Sequence, residues 1–340
     1  MAGTMKALVY TATEQSAFRD EPAPAPAPGE ALVALEAVGI CGSDMHAWHG
    51  HDPRRVPPLI LGHEACGILL EGGAPAGLEA GARVVLNPLI SCGRCSYCRE
   101  GRSNLCPSRA LIGMARPGAF AERIAIPADN LIPVPAGLAP AKAALTEPCA
   151  TAWHALALAA RAGWRALPEC RALVIGGGSV GLLGGLILQA WGTREVMLAE
   201  TNPLRRATAA TAGLETFDPI GEPARLEAAA FELVLDAVGS TATRATAISS
   251  VRPGGVIAHV GLQNGGGAFD ARRLTLSEVT FIGVYTYGDS DLRAALAALH
   301  DGRLGALDWI EQRPLAEGAQ AFHDLHAGST PAAKIILTPG

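Results

Sequence analysis

The sequence has no apolar run long enough to leave water. The longest candidate, near Leu182–Trp191, is about half of the roughly 20 residues that a membrane-crossing helix needs. The opening stretch MAGTMKALVYTATEQ has no apolar core of the secretory kind, so no signal peptide is expected and a cytoplasmic location is the default reading. An excess of positive charge is also missing. Net charge is −5, and a general nucleic-acid binder would need a basic face, so nucleic acid is not an expected partner. No internal repeat is present. Apolar residues at 49% against 17% charged exclude a disordered composition.

The chain's 340 residues exceed one ordinary core, and two domains are the natural count. Eight cysteines in a long chain without an export signal read as metal ligands or buried thiols, not as a disulfide framework. Residues 5–10 (MKALVY) and 31–38 (ALVALEAV) read as strands, with EPAPAPAPGE between them as an extended surface connection. Residues 60–150 are rich in Gly and Pro and carry short runs such as GARVVL and AERIAI, the texture of an irregular, mostly β domain. After Thr151 the texture changes. A helical stretch leads into RALVIGGGSVGLLGGLILQAWG, and EVMLAE, ETFD, ELVLDAV, GVIAHVGL and VTFIGVY follow with helical connections between most of them. That alternation specifies a parallel sheet with helices on both faces. The tail from about Ser290 holds one amphipathic helix and ends in AAKIILTP, a strand positioned to return to the first domain.

Gly176-Gly177-Gly178-Ser179-Val180-Gly181 fits G-x-G-x-x-G. The motif alone is weak in a chain with 40 glycines, but a strand precedes it, a helix follows, and Glu200 ends the next strand. Gly176 permits the tight turn, Gly178 lets backbone approach a pyrophosphate, and Gly181 allows close helix–strand packing. Glu200 is placed to accept from ribose hydroxyls and to repel a 2′-phosphate, which favours NAD over NADP. Arg205 and Arg206 would soften that preference.

Cys92, Cys95, Cys98 and Cys106 follow C-x2-C-x2-C-x7-C. Four thiolates so close in sequence surround one tetrahedral zinc with no open position, which makes the site structural. An iron–sulfur run would place its fourth cysteine after three residues, not seven. A nucleic-acid-binding zinc ribbon is disfavoured by the acidic chain, despite Arg94, Arg99, Arg102 and Arg109. Separately, Cys41-Gly42-Ser43-Asp44-Met45-His46 and Gly62-His63-Glu64 supply a thiolate, imidazoles and carboxylates. A catalytic zinc takes about three protein ligands and leaves one position open. Cys41 and His63 are the natural first two, with Glu64 and Glu147 as candidates for the third.

These segments, CGSDMH at 41–46, GHEACG at 62–67, the four-cysteine lobe and the glycine loop, stand in the order of the zinc-containing medium-chain dehydrogenases, and the resemblance covers nearly the whole chain. Within that family the sequence is most similar to the sorbitol (polyol) dehydrogenase branch, with L-threonine dehydrogenases as near relatives. The marker is Glu147-Pro148, where other alcohol dehydrogenases carry a third zinc-ligating cysteine. The resemblance implies an α/β protein: a GroES-like, mostly-β catalytic domain (1–150 and 289–340) and a Rossmann, doubly wound parallel-sheet NAD domain (151–288), with the active site between them. It implies one catalytic and one structural Zn2+, NAD, and a homo-oligomer, dimeric or tetrameric. Cys41, His63 and Glu64 would lie near the metal, and Glu147 would ligate it or hold its water. Cys149 is a weaker rival ligand, and Cys66 and Cys170 are left as buried thiols. Ser43 and His46 match the family's proton relay, with His49, His51 and His154 outside it.

The implied reaction is NAD-linked oxidation of a secondary alcohol, a polyol or vicinal diol, to a ketone. L-threonine or a simple secondary alcohol is the rival substrate. A zinc- and NAD-binding protein without turnover is the reading from another class, and the intact set Cys41, Ser43, His46, His63 and Glu64 argues against it. The polyol branch has Gly-x-x-Arg-Tyr near the return to the catalytic domain. Here Gly283-Val284-Tyr285-Thr286-Tyr287 keeps the tyrosine and replaces the arginine with Thr286. A neutral polyol held partly by Tyr287 is therefore expected, and phosphorylated sugars should be poor substrates because an acidic chain offers no obvious basic clamp near this position.

Overall fold

The computed structural model describes residues 3–72, 78–267 and 269–340. The strand Glu30–Gly39 is the hub of its first large sheet. Only three of its ten residues are less than fully buried, so it reads as nearly continuous apolar sequence. It pairs antiparallel with Glu64–Gly72, with Arg123–Pro127 and with Lys334–Thr338. Ile310–Pro314 extends the sheet by pairing parallel to Lys334–Thr338. Gly39 lies opposite Glu64 in the register. A Cβ on Gly39 would sit 2.0 Å from Glu64 Oε2, so only glycine leaves room for that carboxylate.

The sequence between the first two expected strands contains a further one. Gln15–Pro22 pairs antiparallel with Thr4–Ala12. It is an edge strand with no fully buried residue, so it lacks the apolar alternation that marks a strand in sequence. The Pro/Ala connection shrinks to the few residues after Pro22.

The second sheet has six strands, all parallel, in the order 215–217, 195–199, 171–175, 231–236, 251–259, 280–283. These are the six runs expected from the alternating pattern. The order reverses at Arg171–Ile175, and the glycine loop leaves the carboxyl end of that strand, the place where such sheets bind ligands. The helix Thr146–Ala162 runs through Thr151 without a break. It packs against Ser179–Ala190 and Asp289–His300. One apolar core, from Ala37 and Val85 of the first sheet to Val174 and Leu235 of the second, runs past this helix and fixes Glu147 in its first turn.

Candidate active site and metal centres

Cys41 caps the helix Gly42–Trp48. Its Sγ accepts from the Ser43 backbone N–H at 3.5 Å, and the Asp44 carboxylate accepts from the Cys41 N–H at 3.1 Å. This reciprocal box fixes the thiol and the Ser43 hydroxyl relative to each other. Asp44 also accepts from the Gly62 N–H at 3.4 Å and stands 3.3 Å from His63 Nδ1. It thereby joins the two segments that carry the candidate ligands, a positioning role that the sequence reading did not assign to it. Burial works to raise the Asp44 pKa, but His63, Arg55 and the Cys41 N–H together outweigh it and hold the carboxyl down at about 2.

Held this way, His63 turns Nε2 toward Ser43 Oγ, 3.4 Å away. Donor atoms of Cys41, His63 and Glu64 lie within 4.8 Å of one another. Burial disfavours a charged His63, yet Asp44 and Cys41 raise its proton affinity well above the ordinary histidine value. The field around these donors is one that a cation satisfies. Thiolate, imidazole and carboxylate are donors that zinc accepts, so the set fits that metal.

Glu64 is wholly buried, and the buried ammonium of Lys334 reaches both its oxygens, 2.7 Å from Oε1 and 2.6 Å from Oε2. Glu147 lies outside the three-residue group. Its Oε1 accepts from the Tyr287 hydroxyl at 2.9 Å, and burial, reinforced by the nearby Glu64, pushes its pKa up to about 7 although His63 opposes the shift. Cys149, also buried, is not among the grouped donors, and burial alone pushes its thiol up. Cys66 and Cys170 are buried thiols, and burial takes Cys66 up to about 12. His154 is paired with Asp291 at 2.8 Å. The His46 ring meets only the edge of His51 among the described aromatic contacts, at 5.3 Å.

Tyr287 is 2% exposed, and its hydroxyl is directed at Glu147. Thr286 has φ +46°, and its buried Oγ1 finds no partner among the described residues. The absence of a basic clamp, expected from net charge, is not what the structure shows. The Arg109 guanidinium lies 4.8 Å from the centre of the Tyr285 ring. Arg55, with its side chain 1% exposed, donates to the Ser43 carbonyl and to Ser43 Oγ at 3.3 Å. Its nearest carboxylate, Asp52, is 4.0 Å away and already forked by Arg54, and its Nε has no acceptor among the described residues. Net charge counts arginines over the whole chain and says nothing of where folding gathers them. Arg55 left no sequence signal. Lys334 left one: it is a single charge inside the apolar run AAKIILTP, which implies a buried partner.

The cysteines at 92, 95, 98 and 106 converge with all four Sγ within 4.8 Å. Cys95 and Cys98 are 3.5 Å apart, and Cys92 and Cys98 are 3.9 Å apart. Four Zn–S bonds of about 2.3 Å in a tetrahedron give S···S edges of about 3.8 Å, so the lobe fits zinc. Backbone N–H groups of Arg94 and Cys95 lower the Cys92 pKa to about 6, favouring the thiolate. The lobe also braces the neighbouring chain, because Asn104 donates to the Tyr285 carbonyl at 2.8 Å.

At the glycine loop, Gly176 has φ +102°, a conformation open to glycine. A Cβ on Gly181 would lie 1.9 Å from the Gly176 carbonyl oxygen, whereas one on Gly178 would meet open space. That opening faces the start of Ser179–Ala190, whose N-cap, Gly178, supplies no side-chain cap. N–H groups left free at a helix start suit a pyrophosphate. Val180 is partly buried against the core. Glu200 accepts from the Gly177 and Asn202 N–H groups, both at 2.7 Å, so its carboxylate is fixed beside the loop. Arg206 is committed to the carbonyls of Glu200 and Thr201, while Arg205 keeps a buried Nε without a partner among the described residues.

A zinc-fitting cluster in one chain with a parallel sheet and a phosphate-ready loop defines a class: metal-assisted oxidoreductases that exchange hydride with a nicotinamide dinucleotide. Comparison with known proteins narrows it. Residues 27–136 match the alcohol dehydrogenase GroES-like domain, and residues 179–301 match the zinc-binding dehydrogenase domain. The chain is 32% identical to the L-galactonate-5-dehydrogenase of Escherichia coli K12, covering 94% of both proteins. It is 29% identical to the L-threonine 3-dehydrogenase of Mesorhizobium japonicum over 99% of each. A zinc-binding dehydrogenase from Sinorhizobium meliloti 1021, solved with NADP, superimposes with a TM-score of 0.85 at 30% identity, over 99% of this chain and 100% of that one. The chain belongs to the zinc-dependent medium-chain alcohol dehydrogenases, in their polyol-dehydrogenase-like branch.

Proposed function

We propose that the protein oxidises a secondary alcohol of a polyol or vicinal diol to the ketone, with NAD as hydride acceptor. The observation that carries this reading is the Ser43 hydroxyl, 3.4 Å from His63 Nε2 at the edge of the Cys41–His63–Glu64 cluster. Zinc held there would supply the positive charge that acidifies the alcohol, and NAD would accept the hydride. Cys41 and His63 hold the metal, with Glu64 or Glu147 as the third donor. Ser43 contacts the alcohol oxygen and accepts its proton while releasing its own toward the cofactor ribose, from which His46 would pass a proton outward. Tyr287 orients Glu147, and the unmet Thr286 hydroxyl is available to the substrate. Residues 1–150 and 289–340 form the catalytic domain and 151–288 the cofactor domain. We also assign a cytoplasmic location and a homo-oligomer, and for the oligomer the edge position of strand Thr280–Gly283 and the exposed Leu276 and Phe269 offer support.

Burial, together with His51, lowers the His46 pKa below its ordinary value of 6.5. Its imidazole is therefore neutral and able to accept a proton at pH 7. His46→Ala should slow oxidation most near neutrality and least at high pH, where solvent base replaces the relay. A pH–rate profile of unchanged shape would remove His46 from the mechanism. Glu200→Ala should narrow the gap between NAD and NADP by removing the charge that opposes a 2′-phosphate. Kinetics with both cofactors test this, and a wild-type preference for NADP would refute it.

A second reading of the substrate is favoured by Arg55. A buried guanidinium whose one paired carboxylate, Asp52, stands 4.0 Å away and is shared with Arg54 has bonding that a ligand can complete. A polyol ending in a carboxylate would do so, and the E. coli relative is named for such a sugar acid. A panel of xylitol, sorbitol, 2,3-butanediol, threonine, a sugar phosphate and L-galactonate decides between the readings. If the acid is preferred, Arg55→Gln should lower kcat/KM for it by about 10- to 150-fold, the equivalent of ~1.5–3 kcal/mol for a hydrogen bond to a charged group. The loss on xylitol should be smaller. Equal losses on both would leave Arg55 a scaffold for Ser43. A clear preference for threonine would displace the polyol assignment.

A further inference from the structure

The outer end of helix Gly42–Trp48 carries imidazoles that the reaction does not use. The rings of His49, His323 and His326 all pack within 5.8 Å of the buried Trp48 indole. His49 Nε2 and His326 Nδ1 stand 2.8 Å apart, although 277 residues separate them in sequence. Glu14, on the turn between the first two strands, completes a group whose donor atoms all lie within 4.8 Å of one another. We propose that Glu14, His49 and His326 form a third metal site, on the surface, for a divalent transition cation of the zinc type.

Three features distinguish this group from three side chains that happen to meet. The first is backbone locking. The Glu14 N–H donates to the Trp48 carbonyl at 2.7 Å, and Glu14 holds φ +60°, which a non-glycine residue adopts at a cost. The turn bearing the carboxylate is thus tied to the residue preceding His49. The second is side-chain support. Trp48 is 1% exposed, and its ring backs both imidazoles, so their positions are set by the core. The third is protonation. The 2.8 Å contact between His49 Nε2 and His326 Nδ1 requires one of the two ring nitrogens to be unprotonated, the form in which imidazole ligates a metal.

The chemistry selects the cation. Two imidazoles and one carboxylate match zinc and its neighbours, whereas Mg2+ prefers oxygen donors and retained water. At present the two ring nitrogens share a hydrogen bond. A tetrahedral ion with M–N bonds of about 2.0–2.1 Å would set them about 3.4 Å apart, so the rings must part by about half an ångström. Half-buried and exposed side chains have that freedom. With three protein donors the site keeps an open position, and its ion should exchange, unlike the one in the four-cysteine lobe. Occupancy would pin the turn at Glu14 and the helix Gly318–Ala327 to the helix that Cys41 caps.

The test uses the purified enzyme, dialysed until its metal content is constant and then titrated with Zn2+ by calorimetry, with Mg2+ as control. One additional zinc per chain should bind, and Mg2+ should give no saturable heat. His326→Ala and Glu14→Gln should each weaken the added site at least tenfold while the zinc retained through dialysis stays constant. His49→Ala is a third variant, but His49 also caps its helix, so His326 and Glu14 carry the decision. Absence of saturable Zn2+ binding beyond the retained metal would overturn the proposal. So would wild-type affinity in the His326→Ala/Glu14→Gln double variant.

Discussion

Cys41→Ser is expected to lower kcat/KM roughly a thousandfold or more, because loss of metal-assisted charge stabilisation costs several kcal/mol of barrier. Bound zinc should fall from two ions per chain, one exchangeable and one not, to the non-exchangeable one, while NAD binding and the unfolding midpoint change little. The reason lies in the separation of the two centres. Cys41 caps the short helix Gly42–Trp48, whereas the four-cysteine lobe closes on itself within residues 92–106. Chelators should therefore remove activity before they unfold the protein. Cys98→Ser should give the converse: poor solubility and lower stability, because it opens a closed site that also braces Tyr285 through Asn104. Metal analysis, cofactor titration and turnover together check the assignment. Near-normal activity in Cys41→Ser with a single zinc, or iron with sulfide in place of zinc, would overturn it.

Lys334→Met should be the most destabilising single change outside the apolar core. It leaves the Glu64 carboxylate buried without its cation, and breaking one side of a buried pair costs about 3–5 kcal/mol. Urea unfolding would show the loss directly. Adding Glu64→Gln should recover most of it, since the orphaned charge is then gone. Failure of the double variant to recover would mean that Lys334 acts through the Ile40 carbonyl, to which it also donates at 2.8 Å. Lys334 hydrogen-bonds Oε1, and Oε2 has no hydrogen-bond partner among the described residues, so Glu64 keeps a donor atom beside Cys41 and His63.

The parts of the molecule written locally were legible in the sequence. The cysteine lobe, the glycine loop and the six alternating strands each depend on spacing within one segment, and spacing is what a sequence displays. The strand Gln15–Pro22 was missed because an edge strand with little buried surface has no apolar rhythm to show. Asp44 was quoted only as part of a motif, because its work is to join residue 41 to residues 62 and 63 across a gap in the chain. The Arg55–Ser43 contact spans 12 residues and the Glu64–Lys334 pair spans 270, and composition cannot reveal either. Tyr287 was singled out as a substrate contact, and its partner in the structure, Glu147, is visible only once the helix Thr146–Ala162 is packed beside it.

The pairing of Lys334–Thr338 with the strand that holds Gly39 also has a consequence in time. Ribosomes add about 5–20 residues per second, so Glu64 leaves the tunnel tens of seconds before Lys334 is made. During that interval the carboxylate has its burial site half built and no counter-ion to enter it with. The nascent first sheet therefore stays open at that edge while the whole nucleotide-binding sheet is synthesised. Catalytic competence arrives as a late event in the life of each chain, set by the emergence of one lysine.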